Sequence, residues 1–350
     1  MNLFQLRELA YLAYFDLPDS TWIGNSVKAF AKWLLNQSDH KKDEHLAHLN
    51  DNIYQQVVIE DYENENETTG LAVYLFQFRD EHLFVFRGSE SYHAGTEAKG
   101  WQDWEDNFDT IFNENTVQEQ AALEFVNHYH NLDHITLCGH SKGGKLAVYT
   151  SLKIDDSMND HMEMVVGFNA PGILPEMKKQ YRKRIQSAAY QKKVYLLDNE
   201  YDIVSALFYP VVKPIFIKSK RKGDTLENVI KAHGLFEYEE DGMRFVTAAH
   251  RAAYAREIHF LFNTLLTRLS PQELRVLTLP AFAYFALDTP LESFIRYLYS
   301  MLQQNQKQLD QVHQEQTNGV FKHLSKKGSW HIEPDILSVS ACNQMIETHI

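Results

Sequence analysis

The sequence from Ile135 to Val148 reads ITLCGHSKGGKLAV and predicts a strand, a glycine-rich turn and a helix in direct succession. The turn fits the pattern G-x-S-x-G, in which a serine lies on a strained strand-to-helix bend with its hydroxyl exposed. A side chain at Gly139 or Gly143 would press against the strand or the helix, and glycine also tolerates strained dihedral angles. We therefore interpret Ser141 as a candidate nucleophile; the alternative is an ordinary strand-to-helix turn.

Other strand-length runs lie on both sides of this turn. They are predicted at 71–78, 82–86, 164–168, 193–197 and 214–218. Because these strands alternate with helical patterns, they predict an α/β fold with a mostly parallel central sheet flanked by helices. In such sheets ligands bind beyond the carboxyl ends of the strands. Four polar residues follow predicted strand ends: Ser89, Ser141, Asn169 and Asp202. We expect the functional site at this edge.

The rest of the chain divides by pattern. Residues 1–37 have apolar residues at helical spacing, and residues 38–68 are polar and acidic, which indicates a connection around a short strand at 54–59. We predict one domain over 1–250 with its core at about 70–250. Two proline-containing capping boxes predict a C-terminal helical extension, a cap or buttress over 251–318, and residues 319–350 form a tail.

The composition narrows the class of protein. The chain has 350 residues, of which 44% are hydrophobic and 23% charged, and a formal net charge of −13. Such acidity disfavours nucleic-acid binding, which depends on a basic surface. Only two cysteines occur, Cys138 and Cys342, and Cys138 lies in a predicted buried strand, so we expect no structural disulfide and a reducing compartment.

We expect a cytoplasmic protein without a transmembrane segment. The N-terminus lacks the basic region and apolar core of a signal peptide. The longest apolar run, 277–287, is interrupted by Pro280 and is too short to span a bilayer. The sequence leaves the oligomeric state open.

A serine hydroxyl is a poor nucleophile until a base accepts its proton, and that base needs a carboxylate to orient it. In strand-turn-helix hydrolases the chain order is serine, acid, histidine. Asp202 follows a predicted strand end, in a loop that can reach across the sheet, and is the predicted acid. Asp198, nearer the strand, is the alternative, and either residue could instead be an ordinary turn aspartate.

His233 is the predicted base. It lies beside Gly234 in a loop between a predicted strand and a predicted hairpin at 235–246, from which a histidine can approach the serine from above the sheet. Seventeen histidines leave the choice open by number alone, so the chain order has to limit it. The other histidines that keep the order are His250, His259, His313, His323, His331 and His349.

Two backbone N–H groups are expected to hold the developing oxyanion, since such preorganised donors are the largest electrostatic contribution in acyl transfer. Lys142 supplies one because it follows the nucleophile. Ser89 is predicted to supply the other, from the segment Arg87-Gly88-Ser89 after an earlier strand. The alternative is that this segment is a simple turn.

These motifs together resemble a known family. Three motifs are similar to those of the class 3 (fungal-type) lipases. They are Phe86-Arg87-Gly88-Ser89 followed by Trp104, the elbow Gly-His-Ser-Lys-Gly-Gly at 139–144 with its His140, and Asp202-Ile203-Val204 before His233. The bacterial Mbeg-like branch, with a lysine after the nucleophile, is closer still. The resemblance covers about 70–250 and implies an α/β-hydrolase fold, the triad Ser141, Asp202 and His233, the oxyanion hole Ser89 and Lys142, and carboxylic ester or lipid substrates.

No cofactor or metal is predicted. The close pairs His45/His48 and His128/His130 lack the spacing of a zinc motif, and neither a P-loop nor G-x-G-x-x-G occurs. A basic stretch over 178–222 runs against the overall acidity and is interpreted as a solvated helix face with a loop; a contact with anionic lipid is the sharper alternative.

We therefore predict a serine hydrolase of lipid or acyl esters. The alternative is a non-catalytic lipase-like binding or scaffold protein that uses its helical region to dock a partner or a membrane, since a fold does not guarantee turnover. A peripheral membrane contact is compatible with either prediction.

Overall fold

A computed structural model describes residues 1–65, 67–89, 115–223 and 226–266. Most of the predicted helical extension at 251–318, all of the predicted tail at 319–350 and Trp104 lie outside the described residues. The domain boundaries therefore stay predictions.

The described residues contain a central sheet of seven strands that follow one another in sequence order. The strands are β1 Val57–Glu65, β2 Leu71–Phe78, β3 Glu81–Phe86, β4 Ile135–His140, β5 Met162–Phe168, β6 Val194–Asn199 and β7 Ile215–Ile217. β1–β2 and β2–β3 pair antiparallel, and every pair from β3–β4 to β6–β7 is parallel. The prediction of an α/β fold with a mostly parallel sheet is confirmed.

Helices cover both faces of this sheet. They are α1 Leu3–Leu12, α2 Val27–Leu35, α3 Glu44–His48, α4 Val117–His128, α5 Lys142–Lys153, α6 Asp156–His161, α7 Pro175–Gln180, α8 Arg182–Gln186, α9 Ala188–Lys193, α10 Leu226–Lys231 and α11 Ala253–Leu266. Short polar side chains begin several of them. Asn2 with Gln5, and Thr116 with Glu119, form reciprocal capping boxes that satisfy first-turn N–H groups.

Each of the strands β2–β6 contributes side chains to two separate cores. On one face, Leu137 and the residues beside it on the adjacent strands pack with side chains of α4, α5 and α7–α9. On the other, the adjacent residue Cys138 packs with side chains of α1–α3 and with Leu235 and Tyr238. Because successive residues of a strand point to opposite faces, a strand buried on both sides must be apolar throughout. That requirement explains why the apolar side chains Leu137 and Cys138 follow one another in β4, one on each face.

Two local predictions were wrong in detail. The acidic segment was expected to be a connection around a strand at 54–59, but it forms α3 and the nine-residue β1. β1 tolerates charge because it is an edge strand whose acidic side chains pair with other residues, as Glu60 does with His82. The hairpin predicted at 235–246 shrinks to β8 Glu240–Asp241 and β9 Arg244–Phe245. Residues before β8 bond elsewhere instead: Glu237 O accepts from Lys220 N–H.

Among the described residues no helix combines the length and the apolar character needed to cross a membrane.

Candidate active site

Ser141 lies at the junction of β4 and α5 with φ 55° and ψ −125°, a conformation rarely adopted by a residue with a side chain. The bend is tight at both glycines. A Cβ on Gly139 would lie 2.3 Å from the carbonyl carbon of Gly143, and one on Gly143 would lie 2.2 Å from Phe86 O. The backbone around Ser141 is held from both sides, since its N–H donates to Phe168 O at 2.9 Å and its carbonyl accepts from Lys145 N–H at 3.2 Å.

Two hydrogen bonds connect Ser141, His233 and Asp202. His233 Nε2 is 2.8 Å from Ser141 Oγ, and His233 Nδ1 is 3.0 Å from Asp202 Oδ1. An ionised carboxylate only accepts, so Nδ1 carries the proton and Nε2 is left to accept one from the serine hydroxyl. The three side chains thus stand in the arrangement needed to move a proton from Ser141 to His233.

Asp202 is fully buried and is prepared to stay ionised. Its carboxylate accepts the backbone N–H groups of Val204 at 3.0 Å and Ser205 at 2.9 Å. Burial by itself raises the pKa of this carboxyl, but the interactions with His233 and the hydrogen bonds outweigh it, so the pKa lies below its usual value. Asp202 can therefore keep His233 in one tautomer.

The alternative residues are engaged elsewhere. The carboxylate of Asp198 forms a buried ion pair with Arg251, and burial raises the pKa of Asp198 to about 7 although the guanidinium opposes that shift. His259 Nδ1 is 2.7 Å from Ala206 O, and His250 is exposed. Four further histidines, His313, His323, His331 and His349, lie outside the described residues.

The segment after β3 lies directly against the Ser141 turn. A Cβ on Gly88 would meet His140 O at 2.5 Å and Ser141 Cβ at 3.3 Å, so only glycine allows this approach. Ser89 follows, half-buried, and Lys142 begins α5 with its side chain largely covered. The backbone N–H groups of Ser89 and Lys142 are the two oxyanion donors that the sequence predicts.

The end of α1 anchors the same segment. Arg87 Nε donates to Ala13 O at 2.7 Å, and Arg87 Nη2 bonds to Asp16 and to Tyr62 Oη. A buried guanidinium with this many acceptors leaves the backbone of Gly88 little freedom. Sequence reasoning assigned Arg87 to the motif but missed what holds it.

Three further side chains surround the site; the sequence placed Asn169 at this edge and His140 in the elbow but predicted no contact for either, and it did not single out Tyr14. His140 Nδ1 is 2.7 Å from Tyr14 Oη, and His140 Nε2 is 2.8 Å from the carbonyl oxygen of His233. Asn169 Nδ2 is 2.9 Å from that same oxygen. Its position after a predicted strand end is the signal by which the sequence placed Asn169 at this edge. Nothing in the sequence relates Tyr14 to His140, which is 126 residues away.

His140 is neutral in this environment. Burial, and then the nearby His233, lower its pKa to about 3. Because Nε2 faces a carbonyl oxygen, it must carry the proton, and Nδ1 accepts from the Tyr14 hydroxyl.

Across the described ranges, no group of three or more His, Cys, Asp or Glu side chains is arranged to hold a metal ion. Of the histidine pairs noted in the sequence, His45 stacks on Phe236 and His48 lies beside Glu8.

The mostly parallel sheet, its crossover helices and the turn at Ser141 define a lipase-like α/β-hydrolase fold. A family model described as Mbeg1-like matches residues 42–282. The chain belongs to the Mbeg1-like family, which confirms the resemblance drawn from the motifs. No curated protein sequence matches the chain.

Solved structures of fungal lipases are similar in fold at low identity. The Lip2 lipase from Yarrowia lipolytica is 12% identical with a TM-score of 0.39, covering 71% of this chain and 94% of that one. A fungal lipase from a family with an unusual buried polar cluster is 13% identical with a TM-score of 0.41, covering 72% and 87%. The triacylglycerol lipase from Penicillium expansum is 13% identical with a TM-score of 0.34, covering 72% and 91%.

Proposed function

We propose that this protein is a serine hydrolase of carboxylic esters, with lipid or acyl esters as its substrates. Ser141 is the nucleophile, His233 the general base and Asp202 the residue that orients His233. The observation that supports this proposal is the continuous pair of hydrogen bonds from Ser141 Oγ through the imidazole to the Asp202 carboxylate.

The reaction follows from these positions. Ser141 Oγ attacks the acyl carbonyl carbon while His233 Nε2 takes its proton, and Asp202 stabilises the imidazolium that forms. The tetrahedral intermediate expels the alcohol, which receives that proton from His233, and an acyl-serine ester remains. Water then attacks the ester while His233 takes one of its protons, and His233 returns that proton to Ser141 Oγ as the acyl–oxygen bond breaks and the carboxylic acid leaves.

The oxyanion is to be held by the backbone N–H groups of Lys142 and Ser89. Lys142 is the first residue of α5, so its backbone N–H lies at the amino-terminal end of this helix. The positive end of the helix dipole adds to the attraction for an oxyanion at this point. Ser89 contributes from the other side of the turn.

An ester fits this site because a serine, a base and oxyanion donors together perform acyl transfer without a metal or a cofactor. We propose that the protein acts in the cytoplasm, with contact to a membrane limited to its surface.

A fluorophosphonate probe tests the nucleophile. We expect it to label the wild type and not Ser141→Ala. Ser151→Ala is the matched control, because Ser151 is a buried serine of α5 that bonds to Val148 O and Tyr190 Oη instead of His233, and it should be labelled like the wild type. Labelling that survives in Ser141→Ala would place the nucleophile elsewhere.

An acyl-chain-length series of nitrophenyl esters then tests the reaction. Hydrolysis that disappears in Ser141→Ala supports the esterase, and the chain length with the highest kcat/KM indicates the substrate class. If neither short nor long esters are cleaved while vesicles are bound, the non-catalytic binding protein is the better description.

A further inference from the structure

One backbone oxygen next to the proposed base receives two buried side-chain donors. The carbonyl oxygen of His233 is 2.9 Å from Asn169 Nδ2 and 2.8 Å from His140 Nε2. These donors come from the carboxyl ends of the adjacent parallel strands β4 and β5. A carbonyl oxygen has two lone pairs, so both of its acceptor positions are used.

Asn169 is oriented by a contact on its other side. Its Oδ1 accepts the backbone N–H of Asn199, at the end of β6, at 2.7 Å. Because a backbone N–H can only donate, the oxygen of the amide must face Asn199 and the NH₂ must face His233. The side chain is fully buried, and its backbone has φ 48°, a value that asparagine adopts more readily than most residues.

His140 is oriented in the same way. The hydroxyl of Tyr14 donates to its Nδ1, which leaves Nε2–H to donate to the carbonyl of His233. The two donors are therefore each aimed by a partner outside the Ser141–His233–Asp202 group. Neither depends on the imidazole of His233 being in place.

We propose that Asn169, together with His140, is a positioning residue that sets the backbone of His233 so that its imidazole reaches both Ser141 and Asp202. This inference rests on the proposed function. The ring of His233 turns about two side-chain bonds, so its hydrogen bonds can orient the ring but cannot place the backbone that carries it. Asn169 and His140 do so from β5 and β4, the two strand ends beside Ser141.

The sharpest test is Asn169→Asp. Aspartate keeps the shape and the acceptor for Asn199 N–H but replaces the donor to His233 with an oxygen. We expect kcat for a nitrophenyl ester to fall roughly 10- to 100-fold, since a misplacement of about 1 Å at a catalytic group costs up to about 100-fold. KM should change little, because the buried amide cannot touch the substrate.

Three readouts separate positioning from a loss of fold. The rate of fluorophosphonate labelling should fall in parallel with kcat. The low-field proton resonance of the His233 Nδ1–H···Asp202 bond should shift or broaden. Asn169→Gly, which keeps the positive φ and adds no charge, should show the same loss and keeps the test usable if aspartate disturbs folding.

Asn263→Asp is the matched control. Asn263 is also buried, and its Nδ2 donates to Phe208 O at 3.3 Å rather than to the His233 segment. It should lower Tm, as any buried amide-to-carboxylate exchange does, while kcat stays within about threefold, because uncoupled sites act independently.

Folded Asn169→Asp or Asn169→Gly protein with a kcat within threefold of the wild type would overturn the inference. A wild type that neither hydrolyses esters nor reacts with the probe would instead overturn the proposed function, so the two failures are distinguishable.

Discussion

The turn that carries Ser141 and the segment that carries His233 are held in place by different means. Ser141 is positioned by backbone packed against backbone, with glycines at Gly139 and Gly143 where a Cβ would lie within 2.3 Å of main-chain atoms. His233 is positioned by side chains of other elements, among them Asn169 and His140. A short motif can encode the first arrangement, whereas the second depends on residues spread over the chain.

The N-terminal helix shows how widely the residues that support the His233 segment are spread along the chain. Arg7 of α1 is buried between Phe236 and Phe245 and pairs with Glu240, all of which follow His233 in the chain. Tyr14, just beyond α1, holds His140. A helix far from the motif in sequence thus supports the proposed base. The difference between the two regions, one held by local backbone packing and the other by distant side chains, leads to four predictions.

The largest effect is expected on the histidine side. Asp202→Asn should reduce kcat by roughly 10³- to 10⁴-fold, because an amide favours the tautomer of His233 that cannot accept the serine proton. Steady-state kinetics on a nitrophenyl ester measures it. Asp198→Asn is the control four residues away. It removes the buried carboxylate that pairs with Arg251 and should lower the free energy of unfolding by about 3–5 kcal/mol while kcat falls far less. Equal kcat losses in the two variants would contradict the assignment of the acid.

On the serine side, Gly143→Ala should act through the fold. The new Cβ meets Phe86 O at 2.2 Å and Arg87 O at 2.8 Å, and neither backbone group can move without disturbing β3. We expect the free energy of unfolding to fall by about 3 kcal/mol or more, at the upper end of what overpacking costs. Urea unfolding checks this. Gly242→Ala is the control, because a Cβ added at Gly242 would have no other atom within 4 Å, although the φ of +61° at this position adds modest strain.

Tyr14→Phe tests the connection between the two regions. It removes a hydroxyl that donates to His140 Nδ1 while leaving the packing of the ring intact. We expect kcat to fall by about tenfold with KM unchanged, and stability to fall by about 1–3 kcal/mol for the unpaired buried imidazole nitrogen. Tyr190→Phe, which loses a buried hydrogen bond to Ser151 away from the site, should lower stability alone. A kcat equal to that of the wild type in Tyr14→Phe would show that His140 needs no partner.

The smallest effect concerns pH. The pKa of His140 is about 3 in the folded protein, against 6.5 for an unperturbed imidazole. Between these values the unfolded chain binds a proton that the folded chain does not, so stability is full above pH 6.5 and falls as the pH drops, by up to about 1.4 kcal/mol per pH unit. We measure the free energy of unfolding with urea at several pH values between about 5 and 6.5. Plotted against pH, it should have a shallower slope for His140→Asn than for the wild type. Identical slopes would mean that His140 is already charged.

Much of the fold was predictable because it depends on local patterns. The apolar run before Gly139 must be a strand buried on both faces, and alternation with helices makes the sheet parallel. The acidic edge strand β1 was misjudged, because its charges are tolerated through partners such as His82, which lies two strands away on β3. The sequence at 235–246 could not reveal that its first residues bond to another segment, as Glu237 O does to Lys220 N–H, which leaves only the short pair β8–β9 within it.

The candidate site divides in the same way. The sequence alone determined the turn at Ser141, since glycine spacing and strained dihedral angles are properties of a few consecutive residues. It also supplied Asp202 and His233 as candidates by their order. Only the tertiary structure decided that Asp198 faces Arg251, that Tyr14 holds His140 and that Asn169 reaches His233, because these contacts join residues whose proximity no local pattern records.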